Sequence, residues 1–171
     1  MIILGLGSNL TSKFGDRFKN IDLAISFLES YKIKIIKKSS FYETPSFPNK
    51  NNPKFINIVV SIDTDIEPLQ LMKFLFSIEN KLGRLRGKKN DPRTCDIDII
   101  DYNNEVIDID LKNINFFSPH KNLSSRNFVL YPLKEILPSW KHPLTNESID
   151  VLISKLPIED KNSILKIKKL L

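Results

Sequence analysis

Asp91-Pro92-Arg93-Thr94-Cys95-Asp96-Ile97-Asp98-Ile99-Ile100 is the stretch from which the rest of the chain can be read. Its second half alternates acidic and apolar residues with a period of two, the pattern of a strand with one buried face. Asp96 and Asp98 then stand side by side, with Cys95, Ile97 and Ile99 on the opposite face. Cα atoms two residues apart on a strand lie about 7 Å from each other. Carboxylates carried at that spacing can converge on a shared divalent cation, or on a pair about 3.5–4 Å apart. Without a cation the two acids repel, and one pKa should rise. An acidic pair of this kind is often only a solvated strand face. Here Arg93 comes just before it, and the basic stretch Arg84-Leu85-Arg86-Gly87-Lys88-Lys89 lies upstream. The pair therefore reads as a Mg²⁺ site facing a phosphate ester.

Upstream of this strand the pattern is regular. Residues 2–7 form an apolar first strand, followed by a turn at Gly7-Ser8-Asn9. Phe18, Ile21, Ile25 and Leu28 recur at helical spacing, which predicts a helix over 15–30. Residues 32–43 read as a strand, and 44–53, with three prolines, as a loop. Another strand covers 55–63. Glu67-Pro68 opens a second helix with the stripe Leu71, Leu75, Ile78 and Leu82, ended by Gly83. A basic loop spans 84–94, the acidic strand 95–101, and a short returning strand 105–109. The order β-α-β-β-α-β makes an α+β fold of ferredoxin-like type, an antiparallel sheet with two helices on one face. Beyond 110 the chain turns irregular, then helical over 125–136 and 146–155. One domain is expected over 1–160, with 161–171 a tail that reads as a frayed helix.

Composition narrows the class. A chain of 171 residues suits one domain. Its single cysteine, Cys95, permits no internal disulfide and fits a reducing cytosol. No apolar run reaches the roughly 20 residues needed to span a bilayer, and the N-terminus reads as a strand rather than a leader. A cytoplasmic protein is expected, with no membrane partner. The formal charge of +6 invites a nucleic-acid reading. The lysines are dispersed, however, and the same field would attract a nucleotide polyphosphate.

Further motifs fall in order along the chain: Gly7-Ser8-Asn9-Leu10, Ser40-Phe41-Tyr42-Glu43-Thr44-Pro45, Phe55-Ile56-Asn57, Gly83-Arg84-Leu85-Arg86, Pro92-Arg93-Thr94 with Asp96-Ile97-Asp98, Pro119-His120, and Arg126-Asn127-Phe128-Val129-Leu130-Tyr131-Pro132-Leu133. Over about residues 2–140 the set resembles the 6-hydroxymethyl-7,8-dihydropterin pyrophosphokinase family of folate biosynthesis. The resemblance implies pyrophosphoryl transfer from ATP to 6-hydroxymethyl-7,8-dihydropterin, leaving AMP, by a monomer with two small-molecule substrates and no nucleic-acid partner. It implies that Asp96 and Asp98 hold two Mg²⁺ ions, and that Arg93 and Arg86 act with them in catalysis. Arg93, Arg86, His120, Arg126 and Glu79 are implied as nucleotide contacts, with 84–94 a lid. Arg84 could equally cap the end of the second helix.

The pterin pocket would use Thr44, Pro45, Phe47, Phe55, Asn57 and Phe128. Phe55 and Asn57 share one strand face. Asn57 offers a donor pair and an acceptor to a ring edge, Phe55 and Phe128 would stack on the ring, and Phe47 would close the pocket. His142 lies outside every motif and reads as structural. Three positions depart from the family pattern: Phe55 for a tyrosine, Asn90 for a tryptophan, and Lys121 for a tyrosine after the histidine. Two other readings fit the element order. A palm-type nucleotidyltransferase would also hang paired acids on such a sheet, though it has no use for the Thr44-Pro45 loop. An RNA-binding ferredoxin-like module would need a glycine-aromatic signature where Asp96 and Asp98 stand.

Overall fold

A computed structural model of the chain describes residues 1–84, 91–111 and 114–168. The fold is built on one sheet. β1 (Ile2–Ser8) is an inner strand, paired antiparallel with the central β4 (Phe55–Asp63) on one side and the edge strand β5 (Asp96–Tyr102) on the other. β2 (Lys34–Lys38) and β3 (Phe41–Thr44) both pair antiparallel with β4. α1 (Arg17–Ser30) and α2 (Pro68–Lys81) complete the expected β-α-β-β-α-β order.

The alternating faces of the strands separate two cores. Ile2, Leu4, Leu6, Ile56, Ile58, Val60, Ile62, Ile97 and Ile99 pack with Ile21, Ala24 and Leu28 of α1 and with Leu71, Leu75 and Ile78 of α2. Each such side chain contributes about 1.5–3 kcal/mol by leaving water. Cys95 is buried in this core, on the face opposite the acids. On the other face, Ile3, Val59 and Ile100 pack under α3 (Asn127–Ile136) and α4 (Ile149–Lys155). An RNA-binding module of this topology uses that face as its open platform. Here α3 and α4 cover its middle, and the end near the start of α3 carries the half-exposed Asp96 and Asp98.

Local sequence explains the boundaries. The Asp16 side chain accepts from Lys19 N at 2.8 Å and starts α1. Pro68 opens α2, and Gly83 follows its end at φ +82°, a conformation that suits glycine. The single strand expected over 32–43 is broken in two by Ser39. Its Oγ accepts from Val59 N at 3.0 Å and so takes the place of a ladder bond, which shifts the pairing.

The C-terminal part departs further from expectation. The returning strand is β6 (Ile107–Leu111), and it pairs with β7 (Ile114–Ser118), a strand the sequence reading left irregular. Asp108 and Asp110 alternate with Ile107 and Ile109 on β6, a pattern that names a strand but not its partner. Over its described residues, 161–168, the tail is not a frayed helix. A short α5 (Ile158–Asn162) leads into β8 (Leu165–Ile167), which pairs with Phe41–Glu43 at the sheet edge. Three residues are too few to show a period, so only the pairing reveals them.

Candidate active site

The accessible end of the sheet is built around Gly7. On β1, Gly7 is opposite Asn57 of β4 and also opposite Asp96 of β5, while Gly5 is opposite Asp98. Neighbouring strands lie about 4.8 Å apart, so Asn57 and Asp96 flank Gly7 with Cα atoms roughly 10 Å from each other. A Cβ added at Gly7 would stand 3.0 Å from Asn57 Oδ1 and 3.5 Å from Phe55 Cδ1. Glycine thus leaves an open floor between an amide and aromatic wall and an acidic wall.

The acidic wall is neutralised by arginines. Asp96 Oδ1 is 2.6 Å from Arg84 Nη1, and its Oδ2 is 3.1 Å from Arg93 Nη1. Asp98 Oδ2 is 2.9 Å from Arg126 Nη1. Burial, and then the neighbouring Asp96, raise the Asp98 carboxyl above its ordinary pKa. Among the described residues no cluster of three acidic, histidine or cysteine side chains is poised for a metal. The two aspartates still suit a hard cation. Both present half-exposed carboxylate oxygens on one face, and Mg²⁺ is usually held by one or two carboxylates plus substrate phosphates and water.

Glu79 reaches this wall from behind. It is 1% exposed, its Oε1 accepts from Ile97 N at 2.8 Å, and Arg84 Nη1 is 2.5 Å from the same oxygen. Burial pushes its carboxyl up to about 7, against the opposing pull of Arg84. Glu79 therefore meets the site through Arg84 rather than by facing the open floor. Arg84 also donates its backbone N–H to Glu79 O at 3.0 Å, so it closes the helix end and holds Asp96 together. Arg86, expected as a nucleotide and catalytic contact, and Asn90 lie outside the described residues.

His120 is fixed beside β5 by its backbone N–H on Ile100 O at 2.9 Å. Its Nδ1 accepts from Asn122 N at 3.0 Å, which leaves a neutral ring with its proton on Nε2. Burial, and then Arg126, lower its pKa and favour that neutral form. Phe128 is half-buried on the first turn of α3, with the Arg126 guanidinium carbon 5.5 Å from its ring centre. Lys121 is exposed, and its ammonium lies 3.1 Å from the centre of the Phe117 ring.

On the other wall, Asn57 Nδ2 donates to Thr44 Oγ1 at 3.0 Å, and both residues are buried. Phe55 and Pro45 are half-buried. Phe47 is 81% exposed. Ser46 Oγ donates to Pro53 O at 2.6 Å and closes the neck of the proline loop, whose Phe47 does not pack against the slot in this structure. His142 is buried at the other end of the sheet, in a cleft with Asp101 and Trp140.

Two residues of the turn and motif Gly7-Ser8-Asn9-Leu10, to which the sequence alone assigns no role, hold the walls together. Asn9 Nδ2 donates to Ser46 Oγ at 3.2 Å and to Pro53 O at 3.1 Å, and its Oδ1 accepts from Arg93 N at 2.7 Å. One side chain thereby ties the proline loop to the segment carrying Arg93. Ser8 Oγ donates to Thr94 O at 2.7 Å, and the backbone N–H groups of Asn9 and Leu10 donate to Arg93 O. The available signal was a polar pair directly after an apolar strand, where burial would demand such partners.

Comparison with known proteins gives a consistent result. A family model described as 7,8-dihydro-6-hydroxymethylpterin-pyrophosphokinase (HPPK) matches residues 3–138. The 2-amino-4-hydroxy-6-hydroxymethyldihydropteridine pyrophosphokinase of Aquifex aeolicus is 38% identical over 143 residues, covering 84% of this chain and 84% of that protein. The Folic acid synthesis protein fol1 of Schizosaccharomyces pombe is 35% identical over 155 residues, covering 90% of this chain but 20% of the larger protein. The chain thus spans about a fifth of the length of that longer relative. Among solved structures, Plasmodium falciparum HPPK-DHPS A437G/K540E with pterin and p-hydroxybenzoate superposes with a TM-score of 0.76 at 20% identity. That match covers 99% of this chain and 47% of the other, and it speaks to the fold alone.

Proposed function

Because the chain belongs to the 7,8-dihydro-6-hydroxymethylpterin-pyrophosphokinase family, we propose that it transfers the pyrophosphoryl group of ATP to the hydroxymethyl oxygen of 6-hydroxymethyl-7,8-dihydropterin, a step of folate biosynthesis. The observation that carries this reading is the row Asn57–Gly7–Asp96: a hydrogen-bonding wall for a flat heterocycle and an acidic wall for a cation stand on either side of a bare glycine.

Asp96 and Asp98 would hold Mg²⁺, as two ions, on the face they share. The metal, when bound, neutralises the triphosphate and leaves its β-phosphorus open to attack. The chain's own groups do the rest by positioning and charge, as phosphoryl transfer requires. Arg93 and Arg126 pair with the aspartates in this structure, and with metal and nucleotide bound they would turn their forks to phosphate oxygens. His120 donates Nε2–H to a phosphate oxygen as a neutral ring. Its Nδ1 is already engaged by Asn122 N, so it is a donor and not a general base. Arg86 adds a further cation from the lid. Glu79 orients Arg84.

The pterin lies over Gly7 with its amino-pyrimidinone edge on Asn57 and Thr44, where an amide can match both donors and acceptors. Phe55 and Phe128 stack on its faces. Pro45 borders the slot, and Phe47 closes over it when the proline loop folds inward. The working unit is one domain over 1–160 together with the β8 strand that the tail adds to its sheet edge, acting as a cytoplasmic monomer. No described helix is long and apolar enough to cross a membrane.

The test is AMP release from Mg-ATP. AMP should appear only when the pterin, ATP and Mg²⁺ are all present. Asp96→Ala and Asp98→Ala should each lower turnover by at least about 10²–10³-fold with the far-ultraviolet dichroism unchanged, in line with loss of one electrostatic stabiliser. Pyrophosphate in place of AMP as the released product would overturn the assignment in favour of nucleotidyl transfer.

A further inference from the structure

The proposed reaction makes no use of the C-terminal arm, α5 and β8, yet this arm holds the element that carries two of the site's groups. Arg126 occupies the N-cap position of α3 at φ −106° and ψ 99°, and no side chain caps that helix end. The Arg126 guanidinium is engaged with Asp98 instead. The first turn is held by Asn127. This side chain is 8% exposed, and its Nδ2 donates to Asp160 O at 2.6 Å and to Ser163 Oγ at 3.1 Å. Asp160 belongs to a helix of five residues, and the last carbonyls of a helix have no intrahelical donor. Ser163 Oγ donates to the same carbonyl at 3.1 Å.

The last turn of α3 is tied to the same arm. Lys166 Nζ lies 3.2 Å from Glu135 Oε1. Between these two ties, Leu165–Ile167 runs along Phe41–Glu43, one residue short of Thr44. The arm therefore bridges the two sides of the slot: α3 with Arg126 and Phe128 on one, β3 and β4 with Thr44, Phe55 and Asn57 on the other.

We propose that Asn127 is a positioning residue for the transfer, and that through it the C-terminal arm sets the gap between Phe128 and the Thr44–Asn57 wall. The inference rests on the assignment of Phe128 and Phe55 to the pterin. Asn127 acts only through its neighbours Arg126 and Phe128. A stacked ring is sensitive to such a gap, because opening a van der Waals contact by 0.5–1 Å forfeits about a quarter to a half of its attraction. Arg126 contacts its ligand through a long side chain with several rotatable bonds, so it absorbs the same shift with less loss.

Equilibrium binding and hydrogen exchange on the full chain test this. Asn127→Ala should weaken binding of the pterin about tenfold and of Mg-ATP less than about twofold. Amide exchange over 126–131 should accelerate, and Asn127→Gln, which keeps the donor, should recover part of the affinity. Ser163→Ala removes one acceptor of Asn127 together with the Ser163 donation to Asp160 O, leaves the Asn127 bond to Asp160 O in place, and should act in the same direction by less, which keeps the question open to measurement if Asn127→Ala fails to fold. A folded Asn127→Ala protein that binds the pterin as the wild type does, or that loses both ligands equally, overturns the inference. If the wild-type protein itself does not bind the pterin, the stacking assignment falls and takes this inference with it. Wild-type binding matched by Asn127→Ala removes this inference alone.

Discussion

At the residue scale, Gly7 shows how an absent side chain makes a site. Its neighbours on the same sheet face, Asn57 and Asp96, carry opposite chemistries, and any atom beyond Cα would stand between them. Gly7→Ala places a carbon 3.0 Å from Asn57 Oδ1 and 3.5 Å from the Phe55 ring. Strand backbone cannot yield far, so the substitution should cost about 1–3 kcal/mol of stability through overpacking. Pterin affinity should drop while Mg-ATP affinity is retained. Calorimetric titration of each ligand checks this, and equal weakening of both would count against Gly7 as the floor of one subsite. The arginines make a complementary point. The acidic pair on β5 demands cations, and Arg84, Arg93 and Arg126 come from three separate segments to meet it. The expectation of a raised pKa in this pair is met at Asp98.

At the element scale, α3 does most to turn a common topology into a specific one. It covers the face that α1 and α2 leave bare, with Val129, Leu130, Leu133 and Ile136 against Ile3, Val59 and Ile100. Its first turn carries Arg126 and Phe128 to the open end of the sheet. Its last turn carries Glu135, which accepts from Ser40 Oγ at 2.8 Å and from Tyr42 OH at 2.7 Å as well as facing Lys166. Glu135→Ala would leave a buried tyrosine hydroxyl without this acceptor and release β8 from α3. Unmet partners of this kind cost about 1–3 kcal/mol, so the urea midpoint should fall with the slope unchanged. An unchanged midpoint would show that β8 is held by its pairing with β3 alone.

At the scale of the whole molecule, opposed titrations shape stability. Glu79, raised by burial to about 7, prefers its protonated form when folded. Between its ordinary value of 4.5 and about 7 the folded chain binds more protons than the unfolded one, so stability falls as pH rises through that window. His142 has the opposite sign. Burial lowers its pKa below 6.5, and its Nδ1 accepts from Leu144 N at 3.2 Å and Thr145 N at 3.3 Å, bonds that a protonated ring cannot accept. The unfolded chain takes up that proton first, so stability falls as pH drops below about 6.5. His120 acts in the same sense as His142. In thermal melts between pH 5 and 8, Glu79→Gln should remove part of the loss on the alkaline side. His142→Asn, which keeps an acceptor and cannot ionise, should remove part of the loss on the acid side. Profiles parallel to that of the wild type would contradict both assignments.

What could be read without coordinates follows a physical boundary between local pattern and long-range contact. Periods of two and 3.6 name strands and helices because side-chain direction is set by the backbone within a few residues. The acidic strand, both helices and the faces of Asp96, Asp98, Phe55 and Asn57 were therefore legible in order. So was the ordered set of motifs that carries the family resemblance. Tertiary structure alone decided which strand lies beside which. It supplied the partner of β6, the strand hidden in the tail, the break at Ser39, and the place of Glu79 behind Arg84 rather than on the floor. It also decided that Asn9 joins the two walls. Each of these depends on which donor meets which acceptor or which charge is buried, and no local period encodes the partner of a donor or the burial of a charge.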